Sequence, residues 1–517
     1  MIVLKPAEMR AVDKAAIEAG FPGVMLMEIA GRAVADKVVK FIEPGSKVLI
    51  FIGKGNNGGD GLVAARYLDT EGYNVQLILL AGEDSLSDSS LMNYRLCKLR
   101  SINTLKIDTI GTDYQEVKNL LAACDIVIDA ILGTGISGSI RGRAADLIEL
   151  INNVDKKVLA VDIPSGISGE NGSVLGKAVK ATWTLTMAYP KPGLLLYPGR
   201  KYCGQIGVVD LTVPEKFVLN EGCSHYTLTC SEALDWLPTR EKTGHKGSFG
   251  KITVIGGSPG MDGAPVLTGL AALKTGAGLV RLAIPGDTLS ISSAYSPELI
   301  TTPLTKSDNN EPDWNIISKV MADSDMIVAG PGFGRSKTSS EVIKKLISTY
   351  HKPLLIDADG LNVIDDIKLL KQRKETLILT PHPGEMARLL DEEIKVIQQD
   401  RIKIARQFAV DKQLYLVLKG AATIIALPDG KIYINTTGNE GMATAGSGDT
   451  LAGIIAGLLS QGLAPEKAVV LGVYLHGLAG DLAVQDTTSY SLMAGDLIDY
   501  IPAAIKKLIA GSGGELK

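Results

Sequence analysis

A chain of 517 residues, 45% of them apolar and 5% aromatic, has the length for two or more cores, and its 57 glycines suit the tight turns of layered α/β architecture. Lys and Arg number 53 against 57 Asp and Glu, a net charge of −4, which excludes the strongly basic surface of a nucleic-acid binder. The five cysteines (Cys97, Cys124, Cys203, Cys223, Cys230) are odd in number and form no C-x-x-C, so a reduced, cytoplasmic protein is expected. The run MIVLKPAEMRAVDKA carries charges too early for a signal peptide, and apolar runs such as Leu451–Leu459 are too short to span a bilayer, so no membrane partner is expected.

In chain order, Pro6–Ala19 and Val24–Phe41 have helical spacing, interrupted at Gly20-Phe21-Pro22-Gly23. Lys47–Ile52 reads as a buried strand that enters the glycine-rich loop Gly53–Gly61, followed by a helix from Leu62 to Thr70 and a strand from Asn74 to Leu80. This unit begins a doubly wound sheet. Asp125–Ala130 leads into Gly133–Ser139, and Val158–Val161 leads into Asp162-Ile163-Pro164-Ser165-Gly166. Ligands of open parallel sheets bind at such strand ends, so three of them imply one crevice.

The rhythm stops near Pro214, and the domain boundary is expected there, with residues 1–215 as a first domain, 216–240 as a linker and 241–517 as a second domain. The second half restarts with the strand Lys251–Ile255 and the loop Gly256–Ala264. Strands Met326–Ala329, Pro353–Ile356, Thr376–Leu379 and Tyr415–Leu418 follow, ending in Gly330–Gly334, Asp357-Ala358-Asp359, Thr380–Glu385 and Lys419-Gly420. Thr444-Ala445-Gly446-Ser447-Gly448-Asp449-Thr450 reads as a glycine turn opening a buried helix. Its free first amides suit an anion, and Asp449 beside them can take a proton from a hydroxyl; the plainer alternative is Asp449 as an N-cap.

Gly53–Gly61 has neither the G-x-G-x-x-G spacing nor the Lys-Ser/Thr ending of a P-loop. Asn57, Asp129 and Ser165 follow or end three strands and offer hard oxygens suited to an alkali or alkaline-earth cation, while Asp162 is the best-placed acid/base. Each of Asn57, Asp129 and Ser165 taken alone is explained as a turn cap; their convergence favours a site.

The run G-x-G-N-N-G-G-D-G with VIDAILGTG and VDIPSG closely resembles the NAD(P)H-hydrate epimerase domain. HKGSFGKITVIGGS, MDGAPVLTGLAALKTGAG, GPGFG, IDADGLN, TPHPGE, KGAAT and AGSGD together resemble the ADP-dependent NAD(P)H-hydrate dehydratase, whose fold is ribokinase-like. The tandem resembles the bifunctional nicotinamide-nucleotide repair proteins. The resemblance implies a Rossmann-like first domain that interconverts R and S hydrates, and a second that dehydrates the S form with ADP. It implies that Asn56, Asn57, Gly58, Gly59, Asp60, Gly133, Thr134, Gly135, Ile136, Ser137, Gly138, Ser139 and Asp162 bind hydrate in the first domain, with Asn57, Asp129 and Ser165 as potassium ligands. In the second, Ala264, Gly332, His382 and Asp449 match the hydrate site, and Lys419, Gly420, Ala421, Ala422, Thr423 and Gly448 the nucleotide site. Asp449 and Asp162 match the proton-transfer residues, and Asp357, Asp359 and Glu385 are candidates to organise Mg²⁺ through water, with caps and salt bridges as the alternative. The expected partners are hydrated NADH or NADPH, ADP and further copies of the chain. A ribokinase-type small-molecule kinase and a protein-binding first domain are the competing functions.

Overall fold

The computed structural model describes residues 1–107, 114–136, 138–220, 222–288, 296–304 and 312–511, and divides near His225 and Tyr226 into two compact units. The division falls inside the stretch expected as a linker. That stretch is not irregular: helices Glu215–Asn220 and Cys230–Trp236 occupy much of it.

In the first unit seven described strands form one sheet in the order Asn103–Lys106, Asn74–Leu79, Lys47–Ile52, Ile126–Ala130, Lys157–Val161, Trp183–Met187, Gln205–Val209. Every neighbouring pair is parallel. Helices cover both faces of such a sheet, which is why KVLIFI and IVIDA are continuous apolar runs rather than alternating ones. The chain reverses its direction of travel between Lys47–Ile52 and Ile126–Ala130, so the crevice lies beyond their carboxyl ends.

One expectation is corrected here. The helix after the first of these strands begins at Asn56, not Leu62, so most of the glycine-rich run is helix rather than loop. Its glycines serve close packing. A methyl on Gly58 would sit 2.1 Å from Gly53 O, on Gly59 2.5 Å from Met27 Cε, and on Gly61 2.7 Å from Ala130 Cβ. Tertiary contact therefore outweighs the roughly 1 kcal/mol by which each Gly disfavours a helix. Strands Trp183–Met187 and Gln205–Val209 extend the sheet beyond those read from the sequence.

In the second unit, the sheet runs from Ile432–Ile434 through Ile424–Ala426, Tyr415–Leu418, Leu377–Leu379, Leu354–Ile356, Met326–Ala329 and Lys251–Ile255 to Leu279–Ile284 and Ile300–Pro303. Ile424–Ala426 pairs antiparallel with both of its neighbours, Ile432–Ile434 and Tyr415–Leu418, and every later pairing in this order is parallel. The switch point lies between Lys251–Ile255 and Met326–Ala329. Helix Ser447–Ser460 is buried at every position from Thr450 to Leu459. It meets helix Gly263–Thr275 so closely that a methyl on Gly453 would lie 2.2 Å from Thr268 O. That contact fixes where the helix, and the turn before it, begin. Helix Pro465–Asp486 has the length and mean hydropathy of a membrane span, but 78% of its most apolar window is buried in the core of this unit.

Candidate functional site

The first site is built at the switch point of the first sheet. Ser165 Oγ donates to Asp129 Oδ1 at 2.6 Å and accepts from Leu132 N at 2.8 Å, while Ser165 N donates to Asp129 Oδ2 at 2.8 Å. Asp129 is fully buried, and burial pushes its carboxyl up to about 6 against the opposing pull of those hydrogen bonds. Asn57 is buried with neither Oδ1 nor Nδ2 bonded to the protein, and a methyl on Gly133 would sit 3.2 Å from its Cβ. An orphaned amide oxygen, a buried carboxylate and a hydroxyl are a donor set for a hard, weakly charged cation, so the residues fit potassium. Helix Asn56–Thr70 has Gly55 at its N-cap and no side-chain cap, which leaves its first amides available to a ligand. The loop after Asp129 is anchored by Gly133 against Asn57 at one end and by Ile140 N on Leu175 O (2.8 Å) at the other; Thr134, Gly135, Ile136, Gly138 and Ser139 lie between, and Ser137 is outside the described residues.

Asp162 follows its strand with φ of +64°, a left-handed angle that costs a non-glycine residue on the order of 1 kcal/mol and is commonest at functional sites. The conformation is held by Asp162 N donating to Leu185 O (2.7 Å) and by three donors on Oδ1: Lys191 Nζ (2.5 Å), Met187 N (3.1 Å) and Thr186 Oγ1 (3.2 Å). Lys191 is 1% exposed. Asp60 and Asp13 complete an acidic cluster. Burial, then Asp162 and Asp13, hold the Asp60 carboxyl well above the usual range, and burial pushes Asp13 up to about 6 with Lys191 opposing and Asp162 adding to the rise. Lys191 and Asp13 were not read from the sequence. A lysine between Pro190 and Pro192 at a strand end was the available signal for the first; the amphipathic helix around Asp13 hides the second.

In the second unit Gly446, with φ of +85°, is the N-cap of helix Ser447–Ser460 and carries no side-chain cap. Asp449 is therefore the third helical residue and not a cap. A methyl on Gly448 would stand 3.1 Å from Lys419 Nζ and 3.6 Å from Asp357 Oδ2, so the glycine turn faces an ion pair. Lys419 Nζ lies 2.7 Å from Asp357 Oδ1 and 3.9 Å from Glu385 Oε2. Burial first, then Asp357, push Asp449 up to about 7 while Lys419 opposes; burial pushes Glu385 to about 7. The result is a proton acceptor poised near neutrality at a helix N-terminus without a side-chain cap.

The strand-end loops bring the other residues here. Gly332, with φ of +62°, lies against Ala264 (a methyl would be 3.2 Å from Ala264 Cβ), and Ser258 Oγ donates to Gly332 O at 2.8 Å. His382 caps helix Pro383–Leu390: Nδ1 accepts from Gly384 N (3.0 Å) and Glu385 N (3.2 Å), and Nε2 faces Glu385 Oε1 at 3.4 Å. With Nδ1 accepting, the neutral ring carries its proton on Nε2, and partial desolvation, then the Lys419 charge, lowers its pKa. The structural role weighed for His382 is thus present, on an exposed ring. Arg401, missed in the sequence, donates to Ala421 O (2.7 Å), Leu418 O (3.0 Å) and Lys419 O (3.3 Å), setting the shape of Lys419–Thr423. Asp359 is engaged by Gly334 N at 3.0 Å and Asn362 Nδ2 at 3.2 Å. Among the described residues no three Asp, Glu, His or Cys side chains are placed together to hold a metal ion.

Two doubly wound domains, one with a buried proton-transfer cluster and the other with an uncapped helix N-terminus facing a poised carboxylate, define a two-site α/β enzyme of small-molecule chemistry. Residues 252–503 match the family model described as NAD(P)H-hydrate dehydratase, and 23–193 the one described as YjeF-related protein N-terminus. The chain is 40% identical to the Bifunctional NAD(P)H-hydrate repair enzyme Nnr of Moorella thermoacetica, covering 98% of this chain and 97% of the relative. It is 36% identical to the protein of the same name from Thermofilum pendens, again covering 98% and 97%. A solved structure of the ADP/ATP-dependent NAD(P)H-hydrate dehydratase of Bacillus subtilis, co-crystallised with ATP and Mg²⁺, aligns with 30% identity over 55% of this chain and 98% of that one, at a TM-score of 0.49. The chain belongs to the family of bifunctional NAD(P)H-hydrate repair enzymes.

Proposed function

We propose that the first domain (1–215) interconverts the R and S hydrates of NADH and NADPH, and that the second (241–517) dehydrates the S form at the expense of ADP, releasing AMP and phosphate. The observation that carries this reading is Asp449, poised near neutrality on the first turn of a helix whose Gly446 N-cap leaves it without a side-chain cap. Hydroxide is a poor leaving group. Asp449 takes the proton of the hydrate hydroxyl as its oxygen attacks the terminal phosphate, and the Gly446–Gly448 amides hold the charge that develops there. The phosphate is then expelled by the neighbouring ring nitrogen, and loss of a proton from the adjacent carbon restores the double bond. Lys419–Thr423 and Gly448 hold the nucleotide, and Ala264, Gly332 and His382 line the hydrate pocket. Mg²⁺, when bound, neutralises phosphate oxygens, with Asp357, Asp359 and Glu385 holding it through water.

In the first domain Asp162 moves the proton at the hydroxylated carbon. Asn57, Asp129 and Ser165 hold potassium, which supplies a fixed positive charge when bound, and Asn56–Asp60 with Gly133–Ser139 bind the hydrate. Four of the five cysteines (Cys97, Cys124, Cys203 and Cys230) are buried thiols, which suits a reducing compartment such as the cytoplasm.

The test supplies mixed hydrate epimers with ADP or ATP and follows recovery of reduced-nicotinamide absorbance and of phosphate. Recovery of both epimers with AMP and phosphate is expected, and a higher kcat/KM with ADP than with ATP. Release of a phosphorylated hydrate instead identifies a kinase, and a higher kcat/KM with ATP rejects the nucleotide assignment.

A further inference from the structure

Four ionisable groups from four separate segments meet in the first site: Asp13 on helix Pro6–Glu18, Asp60 on helix Asn56–Thr70, Asp162 after strand Lys157–Val161, and Lys191 just before helix Pro192–Leu195. Lys191 pairs directly with Asp162, and its charge also opposes the rise of the Asp60 and Asp13 carboxyls. With all four ionised the cluster would carry two uncompensated negative charges in a poorly solvated site, which such sites avoid by retaining a proton. The position of that proton follows from the contacts. Lys191 Nζ spends its three donors on Asp162 Oδ1 (2.5 Å), Thr186 Oγ1 (3.0 Å) and Met187 O (3.0 Å), so Asp162 is the compensated anion. Asp60 has no protein hydrogen-bond donor or ion-pair partner among the described residues, although its side chain is within reach of solvent at the start of the uncapped helix. A carboxyl that faces two other carboxyls, with no protein donor to stabilise its anion, is the one that keeps the proton.

We propose that Asp60 is the general acid of the first site, acting opposite Asp162 as general base, with Lys191 and Asp13 as positioning residues that set the charge of the two. The proposal rests on the epimerase reading of this domain. Asp60 gives its proton to the hydrate hydroxyl, and the carbon–oxygen bond breaks as the ring nitrogen lone pair forms a carbon–nitrogen double bond. Water departs. A water molecule then adds to the other face of that carbon, and Asp162 accepts the proton it releases. One water leaves and one enters, and the proton on Asp162 returns to Asp60 within the cluster because Lys191 favours the Asp162 anion. The burial and the neighbouring Asp162 and Asp13 that raise Asp60 well above the ordinary carboxyl range agree with this assignment.

The expected signature is a pH profile. Epimerisation needs Asp60 protonated, so kcat/KM falls on the alkaline side as pH rises through the Asp60 pKa. The experiment uses the full-length protein and purified R hydrate, and follows the appearance of S hydrate by chromatography without nucleotide. Asp60→Asn is expected to lose about 10²–10⁴-fold in kcat and to lose the alkaline limb, with hydrate binding retained. Asp13→Asn, which touches no reacting atom, is expected to move the alkaline limb to lower pH, because one anion facing Asp60 is gone. Asp60→Glu keeps an acid on the same helix and is expected to restore part of the rate. An Asp60→Asn protein that binds hydrate and epimerises at the wild-type rate, or an Asp13→Asn profile that does not move, overturns the assignment while Asp162→Asn still abolishes epimerisation. A wild-type protein that leaves R hydrate unchanged overturns the epimerase reading and this assignment together.

Discussion

Replacing Asp449 by Asn separates the chemistry of the second site from its stability, because the structure predicts opposite signs for the two. The carboxylate is shifted from its ordinary 3.8 to about 7, chiefly by burial. A group with a raised folded-state pKa contributes no penalty below its unfolded value; the penalty grows as pH climbs from about 4 and is complete above about 7. A shift of about three units corresponds to an upper bound of about 4 kcal/mol, lowered in practice because Lys419 loses a neighbouring anion in the variant. Asp449→Asn is thus expected to unfold at a Tm no lower than wild type at pH 8, while its advantage fades toward pH 4. Its dehydration of S hydrate with ADP is expected to fall by about 10²–10⁴-fold, the range for loss of a general base. In the wild type the same rate rises with pH up to about 7 as the base ionises. The assay is single-epimer dehydration by absorbance, paired with thermal unfolding at both pH values. A folded variant dehydrating S hydrate at near the wild-type rate refutes the role of Asp449, and a large loss of Tm at pH 8 refutes the electrostatic account.

Asp162→Asn should leave S-hydrate dehydration intact and convert recovery from mixed epimers into a fast S phase followed by a slow phase limited by spontaneous epimerisation; recovery of both at the wild-type rate removes Asp162 from the mechanism. Asp129→Ala strips the acceptor from Ser165 N and Ile131 N, two buried donors each worth about 1–3 kcal/mol when orphaned, so both Tm and the potassium dependence of epimerisation should fall. Gly448→Ala places a methyl 3.1 Å from Lys419 Nζ without backbone strain, so Tm should hold while kcat/KM for the nucleotide drops by up to about 10²-fold, measured by initial rates against ADP.

Much of the architecture was legible because buried parallel strands are short apolar runs and their ends carry Gly, Asp and Ser. Lys47–Ile52, Met326–Ala329 and Tyr415–Leu418 fall where periodicity and turn residues place them. The strands Leu279–Ile284 and Ile424–Ala426 were hidden by their brevity or by flanks that read equally well as helix or loop.

What the sequence determined by itself is local: glycine turns at strand ends, carboxylates beside them, and two doubly wound halves. The tertiary structure decided which of those residues share a site and in what charge state. The run after Gly55 is helical only because Gly58, Gly59 and Gly61 let it lie against Gly53, Met27 and Ala130. Asp13 and Lys191 reach Asp60 and Asp162 only because segments distant in sequence converge there. A carboxyl's proton affinity is set by burial and by neighbouring charges, and neither is a property of its place along the chain.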